Sequence, residues 1–170
     1  MFDQIFMMVL RVIHIGAGLF WVGSVFFMTR FILPAIQEAG PDGGKFAAVL
    51  MRGGRVQRAI IESAGVTIIA GLVMYVRYIV QTNGAWARSP IAMGYGVGAV
   101  AAIVAFILGV TINAPAARRL QAIMGAAEGS PGAEQQAELV RLRERMASFS
   151  RVVLVLLTVA VISMAISRYL

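Results

Sequence analysis

A chain of 170 residues that is 59% hydrophobic and 14% charged, with a mean hydropathy of +0.82, is too apolar for an ordinary soluble domain, so lipid is its expected solvent. The net charge of +7 does not point to nucleic acid, because the basic residues sit between apolar runs and are mixed with acidic ones. The absence of cysteine excludes disulfides, iron–sulfur clusters and thiolate metal sites.

A bilayer core of about 30 Å needs about 20 mostly apolar residues per helix. Four stretches meet that length, near 9–32, 59–80, 91–113 and 152–169. They predict one all-α integral membrane domain over 1–170, a four-helix bundle running up-down-up-down. Asp3 near the start, no early basic residue and a long first apolar run mark that run as a retained helix, not a signal peptide.

Pro34 disfavours helix in the residue before it, so the first helix is expected to end near 30–33. The sequence "EAGPDGG" at 38–44 reads as a turn. The segment 45–58 is basic and partly amphipathic, suited to a membrane interface, with Gly53-Gly54 breaking it. The second span carries Glu62 near its start and Arg77 near its end. Trp86, in the short loop 81–90, is an interfacial anchor. The third span opens with Gly94, Gly96 and Gly98; the GxxxG spacing of Gly94 and Gly98 lets helix backbones approach closely.

Beyond Pro115 the pattern stays helical to about residue 127, and "EGSPG" at 128–132 reads as a turn, with Ser130 as N-cap and Pro131 in the first helical turn. From Ala133 onward there is no proline or glycine, which predicts one long last helix, supported by pairs such as Glu138–Arg141. The hairpin 114–151 thus extends helices three and four. Lys45, Arg52, Arg55 and Arg58 lie between the first two spans, and Arg118, Arg119, Arg141, Arg143, Arg145 and Arg151 between the last two. The middle connection holds Arg88 alone. Basic loops on one side place loops one and three in the cytoplasm and both termini outside. No internal repeat is evident.

His14, the only histidine, sits inside the first apolar run. Residues three, four and seven apart share a helix face, so Arg11, Gly18 and Trp21 lie on its side. An imidazole with glycine one turn away leaves a groove that a planar ligand can enter. Arg11 and Arg77 lie nearer the outer surface. This set suits a haem b: iron on His14, propionates on Arg11 and Arg77, Gly18 for clearance and Trp21 packed near the macrocycle. One histidine per chain rules out bis-histidine ligation within a subunit. It leaves a five-coordinate iron, a methionine ligand or a macrocycle shared across a homodimer.

His14 with Met74, Met93 and Met164 equally permits a soft copper site. A lone membrane histidine can also serve only as a hydrogen bond between helices, and the two arginines can simply reach for headgroups. Glu62 reads either as a proton acceptor or as half of a structural ion pair with Arg58, Arg30 or Arg151, with Asn113 also in reach. Gly16-Ala-Gly18 is not a dinucleotide fingerprint, since it follows no strand and lacks a third glycine. No Walker sequence, no HExxH and no serine triad is present.

His14, Trp21 seven residues on, Gly23 and Arg30 resemble the first span of CopD-like and HemJ-like membrane proteins, which reads roughly LHxxxxxxWxGxxxxxxR. The last span, "LLTVAVISMAISRYL", is similar to the tail of CopD-related proteins. The resemblance implies a small helical bundle in a bacterial inner membrane. The HemJ-like side implies haem on His14 and protoporphyrinogen oxidase chemistry; the CopD-like side implies copper transport. Three functions are expected: a haem b protein for electron transfer or redox chemistry, a copper-handling protein, or a cofactor-free accessory subunit of a larger membrane complex. Whether the chain is an enzyme stays open.

Overall fold

The computed structural model describes residues 2–126 and 132–170, and every regular element among them is a helix. The expected turn at 128–132, with Ser130 and Pro131, lies outside the described residues except for Gly132. The chain forms α1 (Phe2–Phe27), α2 (Leu33–Glu38), α3 (Gly40–Leu50), α4 (Arg55–Gln81), α5 (Pro90–Leu108), α6 (Ala114–Ala126) and α7 (Ala133–Ile166). Four continuous helical stretches, Asp3–Glu38, Asp42–Gln81, Pro90–Gly125 and Ala133–Tyr169, are long and apolar enough to cross a membrane.

Pro34 does not end the first helix. A five-residue π-turn, Met28–Ile32, joins α1 to α2, and the Leu33 N–H bonds the Met28 carbonyl five residues back. Proline has no N–H for the carbonyl four residues before it and its ring crowds that carbonyl. A widened turn just upstream accommodates both defects without breaking the rod. The same solution recurs before Pro115: a π-turn over Gly109–Asn113 joins α5 to α6, with the Ala114 N–H on the Gly109 carbonyl.

The expected turn at 38–44 is also mostly helix. The bend is confined to Ala39–Gly40, where Gly40 takes a φ of +56°, and α3 starts there with Pro41 in its first turn. Gly53 and Gly54 do break the chain, at φ +69° and +65°, conformations that cost a residue with a Cβ.

Helices pack in two close pairs, α1 with α4 and α5 with α7, and small residues mark each seam. A Cβ added at Gly18 would meet Thr67 Cγ2 at 3.3 Å. One at Gly98 would meet the Ala160 carbonyl at 3.1 Å and Met164 Cγ at 2.7 Å. Ser163 Oγ donates to the Gly94 carbonyl at 2.6 Å. Between apolar helices in lipid there is no hydrophobic gain on contact, so close backbone approach and interhelical hydrogen bonds supply the attraction. The centre where the pairs meet is Trp21, Ala64, Ala101, Ala102, Ala105, Val153, Leu157 and Ala160. Trp21 and Phe106 meet edge to face at 6.5 Å. Large apolar side chains point outward instead: Leu19 is 75% exposed and Ile69 65%. Such a belt suits lipid, not water.

Beyond the apolar core, α6 and the first half of α7 form their own pair, burying Ile123 and Leu139. Glu138 pairs across it with Arg119, at 2.8 and 3.3 Å, so its partner is on the neighbouring helix and not Arg141. Gln121 Nε2 donates to the Met51 carbonyl at 3.2 Å and ties α6 to the end of α3.

The glycines separate into seams and open surface. Gly98→Leu is expected to cost about 1–3 kcal/mol through overpacking. Gly16→Ala, where nothing lies within 4 Å of the new Cβ, is expected to be neutral or to stabilise by up to ~1 kcal/mol. Thermal unfolding of the two variants in detergent checks the contrast.

Candidate functional site

His14 projects from α1 onto α4. Its Nδ1 lies 2.7 Å from the Thr67 carbonyl oxygen. A carbonyl only accepts, so Nδ1 carries the proton, and in the neutral ring Nε2 keeps its lone pair. Among the described residues Nε2 has no hydrogen-bond partner. Gly71, one turn beyond Thr67, forms the seat of the ring: a Cβ there would stand 2.8 Å from Cε1 and 3.0 Å from Nδ1. Thr67 Oγ1 turns back to the Ser63 carbonyl at 2.7 Å, which settles the threonine's rotamer.

Gly18 and Trp21 are both packed against protein. The notch at Gly18 holds the Thr67 methyl group, so protein fills the groove expected there for a flat ligand. Trp21, 3% exposed, belongs to the central core. Arg11 donates to the Tyr78 hydroxyl at 3.3 Å. Arg77 pairs with Asp3 and lies over the Phe6 ring at 5.4 Å. Asp3 also accepts from Gln81 Nε2 at 2.7 Å. Both guanidinium groups therefore join the start of α1 to the end of α4; Arg11 is about one turn from His14, whereas the Asp3 that holds Arg77 is about three turns from it.

Of the three methionines, Met74 follows Gly71 by three residues and shares its face of α4. Met93 is 64% exposed, and Met164 packs over Gly98. Among the described residues no three of His, Cys, Asp and Glu gather. Glu62 is exposed and makes no ion pair among the described residues. Its expected neighbours are engaged elsewhere or turned outward: Asn113 Nδ2 reaches Ser150 Oγ at 3.4 Å, Arg151 donates to the Ala147 carbonyl, and Arg30 is exposed.

For a haem, the donor chemistry fits at one position. His14 Nε2 is a free imidazole nitrogen on a ring braced through Nδ1 to a backbone carbonyl, the arrangement that orients and strengthens a ligating histidine. Arg11 and Arg77 are the cations nearest that position on α1 and α4, and Gly18 offers no clearance.

A second feature went unread in the sequence. A cavity of about 160 Å³ lies beyond Trp21, toward the two π-turns. Trp21, Ile60, Phe106 and Val153 supply apolar wall, while Thr29, Gln57, Asn113 and Ser150 are the neutral polar groups facing it. The available signal was two prolines, Pro34 and Pro115, each just past the end of an apolar span.

No known protein family, curated protein or solved structure matches this chain. The resemblance to CopD-like and HemJ-like proteins therefore rests on His14, Trp21, Gly23 and Arg30 and on the last span.

A double-mutant cycle measures the seat of the imidazole. Gly71→Ala alone is expected to destabilise by about 1–3 kcal/mol, because the new methyl displaces the ring. In a His14→Ala background the same change is expected to cost much less. Equal costs in the two backgrounds, from unfolding in detergent, count against the contact.

Proposed function

We propose that this chain is a multi-pass protein of a bacterial inner membrane that holds one haem b through His14 and serves in electron transfer. The observation that carries the reading is the Nδ1 hydrogen bond to the Thr67 carbonyl at 2.7 Å, which leaves Nε2 as a fixed, unpartnered ligand nitrogen. The four helices are read as up-down-up-down. The contacts between the start of α1 and the end of α4, and between Gly94 of α5 and Ser163 of α7, support that order. The basic residues of 45–58 and 114–151 put those connections in the cytoplasm and both termini outside.

Bound haem would supply reversible one-electron chemistry at its iron. The chain's own residues hold and tune it. The Thr67 carbonyl keeps the His14 proton on Nδ1 and fixes the orientation of Nε2. Gly71 lets the ring lie against α4 and so fixes its plane. Arg11 and Arg77 are the cations that would meet the propionates, Arg77 only on leaving Asp3. The apolar belt around them keeps water from the site.

Absorption spectra of the detergent-purified protein, oxidised and reduced, test this. A Soret band that shifts on reduction and is lost in His14→Ala is the expected result, with Arg11→Ala and Arg77→Ala retaining haem more weakly. A colourless protein with stoichiometric copper replaces haem by a soft metal at His14. A colourless protein without metal leaves His14 as a clamp between α1 and α4, and the chain as an accessory subunit.

A further inference from the structure

The cavity beyond Trp21 is independent of the haem reading, and its chemistry is different. It is open on one side, and its volume, about 160 Å³, is close to the ~150 Å³ of an engineered apolar cavity that holds benzene. It therefore has room for one six-membered ring. Among the described residues no charged side chain lines it, so a charged ligand would lose its hydration without compensation. The polar groups present are two hydroxyls, Thr29 and Ser150, and two amides, Gln57 and Asn113.

Asn113 is the least satisfied of these. Its Oδ1 is buried without a hydrogen-bond partner, and its Nδ2 reaches Ser150 Oγ only at 3.4 Å. A buried amide oxygen left unpaired costs free energy, and turning the amide toward a ligand gives up little. Asn113 also closes the second π-turn, and Thr29 belongs to the first. Two π-turns border the same cavity, each contributing one polar group. Such turns recur at functional sites because the widened backbone presents side chains that a regular helix would turn elsewhere.

We propose that this cavity is a binding site for a neutral six-membered ring bearing an oxygen substituent, a phenol or the head of a quinone. The ring lies against Trp21 and Phe106, and its oxygen bonds the Asn113–Ser150 pair.

The test uses the full chain in detergent with Trp86→Phe, which leaves Trp21 as the sole tryptophan. Its fluorescence is followed while phenol, toluene or benzoate is added. Phenol is expected to saturate and to bind at least about ten-fold more tightly than toluene of similar size or charged benzoate. Asn113→Leu is expected to bring phenol down to the level of toluene. Gly109→Leu grows a side chain from a cavity-lining position with nothing within 4 Å of its Cβ, and is expected to weaken all ring binding. Toluene or benzoate matching phenol overturns the proposal. So does the absence of a saturable response from protein with intact helical circular dichroism, a result that needs no variant to fold. Benzoquinones with and without a decyl tail then distinguish the source: tighter binding with the tail assigns a membrane quinone, and equal binding a free small ring.

Discussion

Helices that are already apolar on every side gain nothing from hiding apolar surface from lipid, so what holds this bundle is how closely backbones approach. Glycines at the seams set that distance. Gly18 admits the Thr67 methyl, Gly71 admits the His14 ring, and Gly98 admits the Ala160 carbonyl and Met164. The alanines of the central core do the same where the two pairs meet. The placement of His14 follows from this constraint. Only because α4 presents a bare backbone at Gly71 does the imidazole reach the Thr67 carbonyl, and that bond selects its tautomer.

The prolines impose the second constraint. Pro34 and Pro115 each stand two residues past a π-turn. Each removes a backbone donor where the rod must continue, and each is accommodated by the same widening. The two hairpins therefore share a structural device although their sequences show no repeat beyond Pro34-Ala35 and Pro115-Ala116. Both widened turns border one cavity. A local backbone defect, solved twice, leaves space and polar side chains beside a core of alanines, Val153, Leu157 and Trp21.

The charged residues show how differently position and partner are encoded. Arg11 and Arg77 were legible as a cationic pair near one end, because their distance from the apolar centre depends only on counting along a helix. Their partners, Tyr78 and Asp3, depend on how α1 and α4 are rotated against each other. Glu62 illustrates the converse: its depth in the second span suggested an ion pair, yet it faces outward.

Composition and spacing alone determined that four helices are long and apolar enough to cross a membrane, that the last is unbroken from Ala133, and that Gly94 and Gly98 form a helix seam. Hydropathy and helical periodicity are local properties, and each was read within a single segment. Tertiary structure decided that Gly18 seats a threonine, that Gly71 seats the histidine, that Trp21 serves the core and that Glu138 binds Arg119. It also decided that Pro34 and Pro115 bend no helix to an end and frame a cavity together. These outcomes depend on which faces of distant helices meet, and that is set by packing between segments that carry no signal of one another in the chain.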